Sequence, residues 1–275
     1  MPGTICRSGA RGSLPAVTQI LDDSGLDPAV PAAPPLEPRR WWGRPLAEMR
    51  WQAELTRLCV DPMFLRGAEP RGDGRPVVLI PGFAGGDWTL QHLAFWLRRS
   101  GYDPVRCNFI VNAGCGEKAL ARVERRVIEC SERSGRRVAV LGHSLGGYLA
   151  RAAAARLPDR VSHAVALGAG LARPFDVAAP ALAGVAVARA VRRNDRCLGA
   201  GCGCSFTTGY TCPFPASVSL TSIYSRGDGM VRWESCVADD ADNVEVTGSH
   251  VGLAWNRKSY RAIAAALAQP ERAAP

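Results

Sequence analysis

RVAVLGHSLGGY, residues 137–148, is the stretch of sequence that decides the fold. It begins with an apolar run rich in valine, which predicts a buried strand, and the apolar residues after its last glycine predict a helix. Between them, residues 142–146 form a Gly-x-Ser-x-Gly turn, which holds Ser144 in a strained conformation at the end of the strand. Only residues without a Cβ fit beside such a turn, which explains Gly142 and Gly146. We therefore expect Ser144 to lie above the carboxyl end of a sheet.

Strand and helix patterns alternate along the rest of the chain. Strands are predicted at 77–81, 102–110, 137–141, 161–167, 217–224 and 244–246, and helices at 88–99, 117–133, 148–157 and 258–267. This alternation favours an α/β fold with a mainly parallel sheet and helices on both faces. The pattern breaks down at about 170–215, which contains an apolar helix candidate and few strand patterns.

Together these features resemble the α/β-hydrolase family and, within it, the lipase and esterase branch. The resemblance rests on the turn around Ser144, on Pro81-Gly82-Phe83 after an earlier strand, and on Asp228 and His250 further along. It covers about residues 75–267. It implies an α/β-hydrolase domain at 75–270, in which a cysteine-containing insertion at about 170–215 forms a cap over the active site.

The residues before this domain divide into two parts. Residues 1–44 are rich in Pro, Gly, Ala and Arg without a sustained period, which predicts a flexible arm. Residues 45–74 form a helical segment in which apolar residues recur at amphipathic spacing up to Leu65. We expect this segment to pack on the domain, the alternative being a membrane-binding or partner-binding helix.

Nucleophilic catalysis by Ser144 requires a base that takes the hydroxyl proton. Of the four histidines, His250 lies on a loop of small residues directly after the last strand, from which it can reach a serine above the sheet. His143 lies within the turn and is expected to point away from the reacting side of the serine. His92 and His163 fall within a predicted helix and strand and are expected to be structural.

Asp228 is the candidate acid that orients this base. It lies on a glycine-flanked loop after the penultimate strand, and the order Ser144, Asp228, His250 is that of the α/β-hydrolase triad. The alternative is an aspartate that only stabilises its own turn. The substitutes in that case are Asp239, Asp240 and Asp242.

The resemblance implies a mechanism through an acyl-enzyme. Ser144 attacks an acyl carbonyl, His250 accepts and returns the proton, and Asp228 stabilises the charged imidazole. Backbone N–H groups of Phe83 and Leu145 form the oxyanion hole. The lipase branch often has His-Gly in this loop, whereas here Pro and Gly precede Phe83, so a histidine cannot assist there. The mechanism needs no metal and no organic cofactor.

The substrate is expected to be a small-molecule ester with an apolar or lipid-like acyl group. Residues 177–188 are rich in Ala and Val and could line an acyl pocket, although they could equally pack on the core. An acyltransferase or thioesterase on the same fold is the alternative function, and a non-catalytic binding protein that kept the fold is a third.

The net charge of +9 does not indicate a nucleic-acid-binding protein. The basic residues are spread along the chain and, except for Lys118 and Lys258, all are Arg. No basic stripe with interleaved aromatic residues is present, which argues against nucleic-acid binding, whereas weak attraction to anionic membrane surfaces stays open. Because no secretory signal and no apolar run of about 20 residues is seen, we expect a cytoplasmic protein.

Cysteines in the expected cap, together with Cys236 beside the acid loop, leave three chemistries open. Their spacing lacks the paired Cys-x-x-Cys knuckles and the nearby histidine of common zinc sites. Disulfides within the cap or from the cap to Cys236 would require an oxidising compartment and leave an extracytoplasmic location open. Reduced buried thiols are the third alternative. The cap cysteines are Cys197, Cys202, Cys204 and Cys212.

Overall fold

A computed structural model of the chain describes residues 45–174, 176–191 and 204–273. Within these ranges six parallel strands form one sheet with the order β2-β1-β3-β4-β5-β6. The strands are β1 (Pro76–Ile80), β2 (Asp103–Arg106), β3 (Val138–His143), β4 (Val161–Leu167), β5 (Ser219–Tyr224) and β6 (Asp242–Glu245). The predicted α/β class with a mainly parallel sheet is confirmed.

The helices lie on both faces of this sheet. They are α1 (Trp51–Cys59), α2 (Pro62–Arg66), α3 (Gln91–Arg99), α4 (Gly116–Ser134), α5 (Leu145–Arg156), α6 (Ala179–Val191), α7 (Ser205–Thr211), α8 (Trp233–Cys236) and α9 (Arg257–Leu267). In the described ranges, 3-10 helices accompany them at Pro45–Arg50, Asp87–Leu90 and Val251–Trp255. No helix in the described ranges combines the length and the apolar character needed to cross a membrane.

Alternate residues of the strands enter two separate hydrophobic clusters. In β1, Val78 and Ile80 pack with α4 and α5, whereas Val77 and Leu79 pack with α3 and α9 on the other face. All four side chains are at most 2% exposed. The continuous apolar run of β1 is therefore that of a strand buried on both faces.

The second predicted strand is shorter than its apolar pattern suggests. The pattern extends over 102–110, but β2 pairs with β1 only over Asp103–Arg106. Two residues later Asn108 adopts φ +60°, a left-handed conformation that ends an extended segment. The backbone from Asn108 to Asn112 consequently forms a loop that returns toward the end of β1.

The predicted N-terminal helix is broken into three short pieces. A 3-10 helix at Pro45–Arg50 precedes α1, and α2 begins after Asp61, whose carboxylate accepts a hydrogen bond from Met63 N at 3.0 Å. Pro62 cannot continue α1 because it lacks an amide hydrogen, but it suits the first turn of α2. The rings of Trp51 and Trp255 lie 5.1 Å apart, so the segment packs against the helix at Val251–Trp255.

Only part of the expected cap lies over the sheet end that carries the serine. Residues 175 and 192–203 lie outside the described ranges, and with them Cys197 and Cys202. Helix α7, which Cys204 and Cys212 flank, packs on α4 and α5 through Phe206 and Tyr210. No disulfide joins two of the described cysteines, and the described part of the chain does not show the expected cysteine-containing cap.

The turn between β3 and α5 approaches the end of β1 at backbone distance. A Cβ on Gly146 would overlap the carbonyl oxygen of Ile80, and a Cβ on Gly142 would overlap the carbonyl of Gly146. Ile80 and Gly142 are also paired across the sheet. The chain winds outward from β1 to β2 and returns to β3, so this contact lies at the crevice where open α/β sheets bind ligands.

Gly146→Ala is expected to lower the free energy of unfolding by about 1–3 kcal/mol, because the added methyl group must displace the end of β1. Denaturant titration followed by circular dichroism measures the change. Gly184→Ala in α6 is the matched control, since the nearest atom to its new Cβ is a ring carbon of Phe83 at 3.6 Å. Equal stability of the two variants would contradict the tight packing of the turn.

Candidate active site

Ser144 occupies a strained position directly after β3. Its backbone has φ +54° and ψ −119°, and its N–H donates to Leu167 O at the end of β4 at 2.7 Å. A non-glycine residue persists in this region only where the surroundings hold it there. Here the two flanking glycines and the hydrogen bond to β4 hold the turn, and Ser144 faces a cavity.

Asp228 and His250 form a buried hydrogen-bonded pair beside this serine. Asp228 Oδ2 accepts from His250 Nδ1 at 2.7 Å, while its Oδ1 accepts from Met230 N and Val231 N at 2.8 and 2.7 Å. The carboxylate thus holds its own turn and the imidazole at once. Because an ionised carboxylate only accepts, Nδ1 carries the proton and Nε2 keeps a lone pair.

The surroundings of His250 raise its pKa above the ordinary value of 6.5. Burial alone lowers the pKa, because it disfavours the charged imidazolium. The negative charge and the hydrogen bond of Asp228, together with the charge of Glu48, outweigh this effect. The pair is therefore arranged to stabilise a proton on His250.

The substitute acids, and the two histidines expected to be structural, lie elsewhere. Asp240 forms an ion pair with Arg151 at 2.8 Å, and Asp242 accepts from Gln269. His163 makes contacts with Ser162 and with the carbonyl of Gln269 at the opposite end of its strand. None of these groups approaches Ser144 or His250. The remaining candidates, Asp239 and His92, also lie outside the residues that line the cavity.

His143 does not behave as the sequence predicts. It lines the same cavity as Ser144, instead of pointing away from the reacting side of the serine, and its Nε2 donates to the carbonyl of His250 at 2.9 Å. Burial and the nearby His250 charge lower the pKa of His143 to about 4. His143 is consequently a neutral donor that supports the His250 loop, a role that its place inside the turn did not reveal.

The loop after β1 is braced by Asn112, which is 1% exposed. Asn112 Nδ2 donates to Pro81 O at 2.8 Å, its N–H donates to Gly85 O, and its carbonyl accepts from Ala84 N. These contacts hold Phe83 at the cavity. Within the described part of the chain, no acceptor is bound by the backbone N–H of Phe83 or of Leu145. The sequence does not single out Asn112, because this residue lies in the connection between the predicted strand at 102–110 and the predicted helix at 117–133.

A cavity of about 390 Å³ opens in front of these residues. The polar side chains in its wall are those of Thr89, His143, Ser144 and His250. The other side chains are apolar or absent, and no Asp, Glu, Lys or Arg is among the described residues that line it. They are Gly82, Phe83, Gly85, Val177, Pro180, Ala181, Gly184, Met230, Val231, Val251, Ala254 and Trp255.

The first part of the expected cap contributes one wall of this cavity. Val177 forms an isolated antiparallel bridge with Val231, and Ala178 N donates to Met230 O at 2.7 Å. Helix α6 begins directly after this junction and turns Ala181 and Gly184 toward the cavity. The Ala- and Val-rich segment therefore borders the site, rather than packing on the core alone.

Among the described residues, no group of three or more His, Cys, Asp or Glu is arranged to hold a metal ion. Cys236 lies beneath the acid loop and burial raises the pKa of its thiol. A buried thiol of this kind is a poor ligand and a poor nucleophile.

Comparisons with known proteins match this architecture. Residues 123–194 match a family model described as alpha/beta hydrolase fold. Lipase B of Aspergillus fumigatus is 19% identical, with a TM-score of 0.50 over 75% of this chain and 56% of that chain. The chain thus spans little more than half the length of that lipase. A structure of the metagenome-derived lipolytic enzymes LipS and LipT is 18% identical, with a TM-score of 0.51 over 71% of this chain and 92% of that chain.

No curated protein matches the sequence. At 18–19% identity, the structural likeness establishes the fold and not the substrate. The family model covers β3, the serine turn, α5 and β4, whereas Phe83, Asp228 and His250 lie outside the matched residues. From its sheet, its serine turn and these matches, the chain has the alpha/beta hydrolase fold.

Proposed function

We propose that the chain is a serine-dependent hydrolase of carboxylic esters whose acyl group is apolar. The observation that carries this proposal is the cavity: it contains Ser144 and His250, and no charged side chain among the described residues lines it. A charged substrate would lose its hydration there without a partner, whereas an apolar acyl chain gains from burial.

The proposed chemistry follows from the groups at the cavity. Ser144 Oγ attacks the ester carbonyl while His250 Nε2 takes its proton, and the same proton then passes to the leaving alcohol. The resulting acyl-enzyme is hydrolysed by a water that His250 deprotonates in turn. Asp228 stabilises the imidazolium formed in both steps, because its Oδ2 already accepts from Nδ1.

The oxyanion of each tetrahedral intermediate would be stabilised by the backbone N–H groups of Phe83 and Leu145. Phe83 belongs to the loop braced by Asn112, and Leu145 is the first residue of α5. Two orphan donors at these positions suit this role, since a preorganised donor contributes about 3 kcal/mol of transition-state stabilisation. The positive end of the α5 dipole adds to the same effect.

Stoichiometric labelling of Ser144 by a fluorophosphonate is the first expected result. Peptide mass spectrometry locates the label, and Ser144→Ala should abolish it while His250→Ala should slow it at least a hundredfold, because the base is lost. An ester panel of increasing acyl length then tests hydrolysis, with added alcohols to reveal transfer. A folded protein that neither labels nor cleaves any ester would refute the proposal, and dominant transfer would replace hydrolase by acyltransferase.

Ester hydrolysis is expected to decline as the pH falls through a value above 6.5, because His250 must be neutral to accept the serine proton and its pKa is raised. Asp228→Asn removes the main charge that raises this pKa. The variant should therefore keep its residual activity to lower pH, with a kcat reduced about a thousandfold or more. A kcat/KM profile that is flat down to pH 5 in the wild type would exclude His250 as the base.

Gly184→Phe is expected to lower kcat/KM for long-chain esters about tenfold or more, with little effect on acetate esters. The new ring projects from α6 toward Phe83 and occupies the part of the cavity that an acyl chain would fill. Ala183→Phe is the matched control, since its side chain is exposed on the same helix. An equal loss for short and long esters would argue against acyl binding beside α6.

A further inference from the structure

Glu48 is a buried carboxylate that the proposed chemistry does not use. It lies on the 3-10 helix Pro45–Arg50 and is only 8% exposed. Its Oε1 accepts from Gly229 N at 2.8 Å and from His250 N at 3.0 Å. Its Oε2 accepts from Val251 N at 2.9 Å. All three donors are main-chain amides, and they belong to two different loops.

These two loops are the ones that carry the acid and the base. Gly229 directly follows Asp228, and the other two amides are those of His250 and its neighbour. A single carboxylate therefore joins the backbones on either side of the Asp228–His250 hydrogen bond. Charge-assisted bonds of this kind are about twice as strong as neutral ones, so the bridge resists separation of the loops.

Glu54 on α1 binds Ser249, the residue directly before His250. Its Oε1 accepts from Ser249 N at 2.9 Å and its Oε2 from Ser249 Oγ at 3.0 Å. A Cβ on Gly252 would overlap this carboxylate, so the loop leaves room for it. Three consecutive amides, those of residues 249–251, are thus bound by two glutamates that lie 195 to 203 positions earlier in the chain.

We propose that Glu48 is a positioning residue of the active site. It holds the backbone of the base loop, residues 249–251, against that of the acid loop, residues 228–229. The proposal rests on the proposed role of His250 as general base. The effect on catalysis is geometric, because a displacement of about 1 Å at a reacting group can reduce the rate about a hundredfold.

The charge of Glu48 provides a second, independent signature. Among the described residues, the ionisable groups that face His250 are Asp228 from the loop after β5, Glu48 from the N-terminal 3-10 helix, and His143 from the end of β3. Burial lowers the pKa of His250, the two carboxylates raise it, and His143 stays neutral. Removal of the Glu48 charge should therefore lower the pKa of His250.

Glu48→Gln in the full chain is the first test. The amide keeps the size of the side chain but loses the charge, and it presents N–H donors where a carboxylate oxygen accepted from Val251 N. We expect kcat for a long-chain ester to fall about 10- to 100-fold with KM changed less than about threefold. The acid limb of the pH profile should move to lower pH, the direction opposite to that of a general loss of folding.

Glu54→Gln is the matched control. It also breaks hydrogen bonds to the base loop, but Glu54 is not among the charges that raise the pKa of His250. Its acid limb should therefore stay in place, whatever its effect on stability. The proposal would be overturned if the acid limb moved equally in Glu48→Gln and Glu54→Gln. It would also be overturned if Glu48→Gln kept the kcat and the acid limb of the wild type.

Glu48→Asp covers the case in which the glutamine variant does not fold. It keeps the charge, but the shorter side chain cannot reach both loops, so kcat should fall while the acid limb stays near that of the wild type. Wild-type kcat in Glu48→Asp would overturn the positioning role.

Titration of the His250 imidazole by NMR separates this inference from the proposed function. The resonance is assigned by its loss in His250→Ala, and no ester is needed to follow it. If the pKa of His250 is lowered in Glu48→Gln but no form of the protein hydrolyses an ester, the inference on the Glu48 charge stands and the proposed function is rejected. If the protein hydrolyses esters but the pKa of His250 is unchanged in Glu48→Gln, the proposed function stands and the inference on Glu48 is rejected.

Discussion

The close backbone contact between the serine turn and the end of β1 is the constraint on which the rest of the structure depends. It brings the carbonyl of Ile80 against Gly146 and the carbonyl of Gly146 against Gly142, so neither glycine can carry a side chain. The contact keeps the Ser144 backbone at φ +54°. It also sets the distance between the start of α5 and the loop after β1, which together present the two amides proposed for the oxyanion hole. A shift of the turn would displace Ser144 and these amides at once.

Charge and apolar surface are separated around the base. The carboxylates of Asp228 and Glu48 lie behind His250 and are satisfied by its ring or by main-chain amides, whereas the described residues in front of it are uncharged. This arrangement keeps the field of the carboxylates at the imidazole without placing a charge in the cavity. The pKa of His250 is therefore raised while the described wall of the cavity stays uncharged.

The sequence predicts those parts of the molecule that depend on local pattern. Strand β4 was predicted over its full length at 161–167 because most of its residues are apolar, and the serine turn was predicted because its glycines are obligatory. The chain order of Ser144, Asp228 and His250 also anticipated the hydrogen bond between the last two. The extent of β2 was wrong, because the left-handed conformation of Asn108 leaves no trace in hydrophobic periodicity.

Contacts between distant segments could not be predicted in this way. Glu48 reads as an ordinary polar position of an amphipathic segment, and Asn112 as a loop residue, yet both are almost fully buried. Their importance comes from backbone groups that only the folded chain brings to them, and main-chain donors have no sequence signature. The same holds for His143, whose partner is the carbonyl of His250.

The position of Glu48 in the chain also bears on how the site is assembled. Its partners lie about 200 residues away, so closing the loop between them costs about 5 kcal/mol of chain entropy, which is of the same order as the contribution of the three hydrogen bonds. Glu48 therefore binds most readily once the sheet and α9 hold the loop of His250 near its final place. Because the glutamate then contacts both loops, a single side chain fixes the loop of Asp228 against the loop of His250.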